Sequence, residues 1–399
     1  MMEGGEPCVR PCDLPYMQSL KDLIVEKIQK KGKIPFAEFM QTVLYHPHYG
    51  YYNAEKERVG KFGDYYTSPT IHRIFGELIA KQLEEMWKIM GEGTFSVVEI
   101  GANRGWLCYD IVQCIRKEYP EFYRYLRYTI IETNPYAQER QRAFLGSIES
   151  VDKKISWHTH TKGGFSFDKI QGCFLSNEFI DALPVHRLKV KNKALKEIYV
   201  GYNGLEFFEI EDEVSTHALE RHFETLSLAR EEERIYEVNL DAAEWLRHIS
   251  ERLRKGFVIT IDYGDIIDGI YREGATDGTL RCFYKHTVNK NYYDRLGEQD
   301  ITAHVDFTSL MNMGKSFGLE VTGFTKQSHY LIASGILERL ATMGNDFETL
   351  LKVKNLFHPE GMGEIFKVLI QHKNIENPQL MGLRPLRSVP IVNTKTKLT

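Results

Sequence analysis

Two hydrophobic periods alternate along the chain. Short apolar runs bounded by glycine predict strands, and apolar positions three and four apart predict helices. The clearest passage is Phe95 to Ile115. Phe95-Ser96-Val97-Val98-Glu99-Ile100 is a β-prone run, and the loop Gly101-Ala102-Asn103-Arg104-Gly105 follows it. Leu107, Cys108, Ile111, Val112 and Ile115 then share one helical face. A strand, a glycine turn and a helix with one buried face form the opening unit of a nucleotide-type fold.

The same pattern predicts helices over Met17–Lys30, Phe36–Tyr45, Ile71–Met90 and Phe307–Phe317. It predicts strands over Tyr128–Glu132, Ile155–His158, Gly172–Ser176, Gly256–Gly264 and Leu319–Phe324. Between His186 and Phe223 the texture becomes antiparallel, with a turn at Tyr202-Asn203-Gly204, and a charged helix runs on through Arg234. The expected fold is therefore α/β, Rossmann-like with a mostly parallel sheet, an N-terminal helical segment and an antiparallel β insertion. The divisions read as 1–90 (helical segment and a covering loop), 91–185 (first part of the core), 186–235 (β-rich insertion), 236–345 (second part of the core) and 346–399 (C-terminal elements and tail). Met1–Leu14 reads as a loose arm and Asn374–Thr399 as peripheral.

Composition narrows the function classes. The 399 residues are 42% hydrophobic and 27% charged, with a net charge of −4. This carries no electrostatic footprint for nucleic acid, and no apolar run is long enough to span a bilayer. MMEGGEPC resembles neither a secretory signal nor an Arg-rich transit peptide, so a cytoplasmic protein is expected. Six cysteines are spread thinly, with no C-x-x-C pair and no second ligand pair near Cys8 and Cys12. Neither a disulfide framework nor a metal site is expected.

The loop after Ile100 lacks a dinucleotide fingerprint. The second and third glycines of G-x-G-x-x-G are replaced by Asn103 and Trp106. A phosphate-cradling Gly-Lys-Ser/Thr loop is absent as well. Glu99-x-Gly101-x-Asn103-x-Gly105 instead matches the first S-adenosylmethionine (SAM) motif, E/D-x-G-x-G-x-G, with Asn103 in the middle glycine's place. A plain βα turn without a ligand is the bland alternative. Glu132 ends the next strand, where a carboxylate accepts hydrogen bonds from ribose hydroxyls. Asn177, Glu178 and Asp181 follow the fourth strand, at the edge where ligands of open parallel sheets bind. Two acids in an apolar loop are costly without a partner, and a guanidinium is a suitable one. A turn cap at Asp181 and an internal arginine for Glu178 are the structural alternatives. Asp262 and His304 are weaker candidates. Thr279-Leu280-Arg281-Cys282 and Asp300–Phe307 bracket a tyrosine- and charge-rich loop, and Arg281, His304 and Asp306 would either hold that loop over a pocket or pair with one another. The polar loop before the third helix, Gly63-Asp64-Tyr65-Tyr66-Thr67-Ser68-Pro69, reads as a ligand loop, a helix cap, or both.

Taken with Asn177-Glu178, Ile261-Asp262-Tyr263-Gly264, Gly278-Thr279-Leu280-Arg281-Cys282, Gln299–Phe307 and Pro359-Glu360-Gly361-Met362-Gly363, these motifs closely resemble the MidA family of SAM-dependent methyltransferases. That family includes a mitochondrial protein arginine methyltransferase. The resemblance spans Leu20 to Ile370 and implies a class I methyltransferase fold with SAM as methyl donor. It implies a protein arginine as acceptor, with oligomeric state open. By matched motif, Gly63, Asp64, Thr67, Ser68, Pro69, Glu99, Gly101, Asn103, Gly105, Glu132 and Asn177 would hold SAM. Glu178 and Asp181 would orient the acceptor. Asn103 and Thr70 depart from the family pattern, Thr70 standing where relatives often carry an acid. The other readings are a non-catalytic binding or assembly protein on the same fold and, against the missing glycines, a nicotinamide oxidoreductase.

Overall fold

The computed structural model describes residues 19–53, 63–64, 66–146, 154–161, 163–226, 231–272, 276–344 and 346–386. The arm, Cys8, Cys12, Met17, Tyr65 and the end of the tail lie outside them.

Seven strands build the central sheet: β1 (Phe95–Ile100), β2 (Leu126–Ile131), β3 (Ile155–His158), β4 (Ile170–Asn177), β5 (Leu253–Asp265), β6 (Glu320–Lys326) and β7 (Phe366–Lys373). Their order across the sheet is 3-2-1-4-5-7-6. β1 to β5 run parallel, and β7 is antiparallel to both of its neighbours. Two residues, Val305–Asp306, extend the far end of β5. The chain winds outward from β1 to β3, then returns to the other side of β1 as β4. This reversal opens a crevice at the carboxyl ends of β1 and β4.

The central strands β1, β4 and β5 are mostly buried because both faces are covered. Ile74–Ile89 (α1) and Trp106–Glu118 (α2) pack one face around Phe75, Leu83, Ile111 and Val112, joined there by Tyr330, Leu331 and Val353. Leu240–Arg252 (α3) and Phe307–Ser316 (α4) pack the other around Leu246, Ile249, Phe307 and Leu310. Gly172 is needed where β4 meets β1, because a Cβ there would stand 2.0 Å from the Ser96 carbonyl oxygen.

The insertion is an antiparallel sheet of His186–Lys191, Ala194–Tyr202, Phe207–Asp212 and Ile235–Val238, edged by Ile34–Pro35. The helices Leu20–Lys31 and Phe36–Tyr45 pack on it, with Ile24, Phe36, Phe39 and Val43 meeting Val200 and Ile301. Ser19 starts the first of them with a capping box to Asp22.

Three expectations are corrected. The charged helix does not reach Arg234: it ends at Thr225, and Ile235–Val238 pairs antiparallel with His186–Lys189. Tyr236 and Val238 alternate into the core, so period two wins over charge there. The tyrosine- and charge-rich stretch between Cys282 and Asp300 is no simple loop. Arg281–Tyr284, Thr287–Asn289 and Asp300–Thr302 form a small sheet, its hairpin turned at Lys285 and His286, both with positive φ. The beginning of the tail is not peripheral, since Leu380 is buried in the main core.

Candidate active site

The loop after β1 turns through three left-handed residues. Gly101, Asn103 and Gly105 have φ of +74°, +50° and +93°, and Gly105 N–H donates to the Ala102 carbonyl at 2.8 Å. These are the three positions that the motif gives to glycine. Asn103 fits because asparagine is among the few side-chain-bearing residues that tolerate this conformation. Its carbonyl accepts from Gln141 Nε2 at 2.6 Å, which ties the loop to the helix Pro135–Gly146. Asn103→Gly is therefore expected to leave ligand affinity within about twofold, whereas Asn103→Val should weaken it about tenfold through backbone strain. Calorimetric titration with SAM checks both. Equal affinities for the two variants would show that this φ is not needed.

Glu132 follows β2. Its Oε1 accepts from Asn134 N–H at 2.8 Å and Oε2 from Gln141 Nε2 at 3.3 Å. Burial nevertheless raises its pKa. Glu99 lies deeper, 3% exposed, and accepts from the Tyr128 hydroxyl at 2.8 Å. Burial pushes it to about 7.

After β4 the chain enters a left-handed turn at Glu178, φ +53°. One buried carboxylate holds this turn. Asp262 Oδ2 accepts from the N–H groups of Phe179, Ile180 and Asp181, and Oδ1 from Tyr263 N–H, at 2.9 to 3.3 Å. Glu178 Oε1 accepts from Ser68 N–H and Asn177 Nδ2, both at 3.0 Å. Its Oε2 has no partner among the described residues. Burial, then the Asp181 charge, raise Glu178 to about 8 against the donated hydrogen bonds. Asp181 is raised by burial and by repulsion from Asp262 and Asp300.

These elements enclose a cavity of about 850 Å³ at the carboxyl edge of the sheet, in the range of small-molecule sites. Thr67, Pro69, Glu99, Gly101, Asn103, Glu132, Asn177, Glu178 and Asp181 line it. Gly63, Asp64, Ser68 and Gly105 do not. Asp64 instead braces the roof: its carboxylate accepts from the Tyr51 hydroxyl and Lys285 N–H, both at 2.7 Å, and its carbonyl from His286 N–H. Ser68 acts behind the wall, holding Glu178. Gly105 starts α2, where a Cβ would press Leu145 at 3.2 Å. Thr70, in place of an acid, closes the turn ahead of α1 by accepting from Thr67 N–H at 3.0 Å.

Sequence reasoning missed Tyr45, Tyr52, Tyr263, Asp300 and Thr302, which complete the wall. Only Tyr263 carried a signal, at the end of a core strand. Arg281 and His304 line the cavity, whereas Asp306 caps α4 through Thr308 and Ser309 N–H. Asp262 stays behind the wall.

The donor set suits SAM. Glu132 stands at the end of β2, and Gly101 offers bare backbone at the crevice. Asn177 Oδ1 is buried without a hydrogen-bond partner among the described residues. A family model described as "Putative S-adenosyl-L-methionine-dependent methyltransferase" matches residues 78–325, more than half the chain. The chain belongs to this family. It is a SAM-dependent methyltransferase of class I topology. It is 29% identical over 371 residues to human "Protein arginine methyltransferase NDUFAF7, mitochondrial", covering 85% of this chain and 77% of that one. The rat protein of that name is 28% identical over 365 residues, with 85% and 78% covered. The fold matches a COG1565 superfamily structure from Burkholderia thailandensis bound to S-adenosyl-homocysteine, with a TM-score of 0.82, 24% identity, and 93% and 97% of the two chains covered. The cytoplasmic placement is corrected: these relatives are mitochondrial by name. Among the described residues no helix is long and apolar enough to cross a membrane.

Proposed function

We propose that this methyltransferase acts on a protein arginine side chain, as its relatives' names state for them. The observation that carries the reading is an imbalance of charge. Glu178, Asp181 and Asp300 line one side of the cavity, and burial with mutual repulsion raises the first two. A bound cation relieves such repulsion and is itself held by it.

The sheet order sets the sequence of groups along the crevice. Glu132, the Gly101 loop and Glu178 follow β2, β1 and β4, and Tyr263 lies near the end of β5, so the four span about 14 Å at the usual strand spacing. Glu132 and the Gly101 loop would hold the ribose and methionine parts, with Asn177 Oδ1 toward the reacting end. Bound there, SAM supplies an electrophilic methyl group on sulfonium sulfur. Glu178 would orient the attacking nitrogen through Oε2 and take the proton that this nitrogen releases as its bond to carbon forms and the carbon–sulfur bond breaks, the electron pair leaving on sulfur as a neutral thioether. Asp181 would hold the rest of the guanidinium, and the closed aromatic wall would exclude water.

The test is mass spectrometry of the host proteome with and without the intact gene. Loss of methyl marks from arginine is expected. Marks lost only from other residues would overturn the arginine reading. Calorimetry should show binding of SAM and none of NAD.

A further inference from the structure

We propose that Tyr263 and Thr302, together with Asp181, form the subsite that holds the non-reacting nitrogens of the acceptor, making Tyr263 and Thr302 substrate-positioning residues. The inference rests on the arginine reading and deepens it. Three elements bring these side chains to one wall: the turn after β4, the end of β5 and the roof strand Asp300–Thr302. Asp181 Oδ1, the Tyr263 hydroxyl and Thr302 Oγ1 are each buried, and none makes a hydrogen bond of normal geometry to the described residues. All three residues line the cavity. The Tyr263 hydroxyl stands between Asp181 and Thr302, close enough for a weak hydrogen-bonding interaction with each, so the three groups form one cluster.

Unpaired buried polar atoms are rare and need an explanation. Here they share a chemistry. Asp181 as a carboxylate only accepts, and both hydroxyls accept through free lone pairs. A guanidinium is the complement, with five N–H donors in a fixed plane and no acceptor. A single ammonium would serve acceptors spread over three elements less well.

The wall is built to keep its shape. Tyr263 is held edge-on by His304 and Phe366, with ring centres 5.6 and 5.7 Å away. Its N–H is fixed by Asp262. Ala303 N–H donates to the Asp181 carbonyl at 3.0 Å, which couples the roof strand to the turn that carries Asp181. Neighbouring groups have other ties: Asp300 Oδ1 accepts from the Tyr52 hydroxyl, and Arg281 Nη1 donates to the Thr279 and Leu280 carbonyls. Glu178 stands one strand away and is left to the reacting nitrogen.

The experiment uses the full chain, SAM carrying a labelled methyl group, and as probe the proteome of cells lacking the intact gene. Tyr263→Phe keeps the ring packing and Thr302→Val keeps the shape. Each should slow methyl incorporation at limiting acceptor by about 10- to 100-fold, with SAM affinity and melting temperature unchanged. Thr302→Ser should restore the rate, which a merely structural role for the threonine methyl would not allow. The subsite is overturned if wild-type marks fall on arginine and the Tyr263→Phe, Thr302→Val double variant incorporates label at the wild-type rate. The arginine reading fails separately, and the subsite with it, if wild-type protein places its label on other residues or on none.

Discussion

Glu178→Gln is expected to lower the methyl-transfer rate by about two to three orders of magnitude while SAM binds with unchanged affinity. The substitution is mild for the fold. A glutamine carbonyl still accepts from Ser68 N–H and Asn177 Nδ2. What disappears is the negative charge and the lone pairs of Oε2, the oxygen without a partner. Single-turnover kinetics and calorimetry on one preparation separate the two readouts, and a wild-type rate would remove Glu178 from the reaction.

The same carboxylate sets a pH dependence. Its pKa rises from 4.5 to about 8 in the folded chain. The form that takes a proton therefore grows with pH, and kcat/KM should climb toward pH 8, a limb that Glu178→Gln should lose. The stability sign is opposite. Between these two pKa values the folded state binds the extra proton, so the contribution is fully present below about 4.5 and is lost as pH rises through 8. Glu178→Gln should melt above wild type at pH 8, with the gap narrowing at pH 5. A gap that widens toward pH 5 would mean that the carboxylate is stabilised as an anion.

The parts of this molecule legible from sequence are those where one physical effect dominates. β1, β4 and β5 are buried on both faces, so their apolar runs stand out. Glu132 and Glu178 were found because strand ends lead to the ligand edge. Asp64 was misread because a polar loop ahead of a helix looks the same whether it faces a ligand or braces a hairpin. That distinction depends on Lys285, over two hundred residues away. Asn103 looked like a defect because composition does not display φ. Once the loop's three left-handed residues are known, asparagine is a sensible substitute for glycine. Thr302 and Asp300 lay on a roof strand whose pairing no local pattern announces.

Asp262→Ala should be the most damaging single change to the fold near the cavity. It deprives four backbone N–H groups of one buried acceptor. Hydrogen bonds to a charged group are worth about 1.5 to 3 kcal/mol each and are not additive, so a loss of at least about 3 kcal/mol is expected. Local strain adds to it. Glu178 sits at φ +53°, and Asp262 is what gathers the N–H groups that follow into that turn. Asp262→Asn should fall between, because its amide must turn an N–H₂ toward either Tyr263 N–H or the three donors of the turn. Urea unfolding measures the stability term. Burial and the Glu178 charge raise Asp262 to about 7 even against these donors, so the turn and the acceptor-side charge are linked. Weakening one should move the other: in Asp262→Asn the acid limb of kcat/KM should shift to lower pH, because the negative charge of Asp262 that repels the Glu178 carboxylate has gone. An unshifted limb with normal stability would mean that Asp262 neither braces the turn nor tunes Glu178.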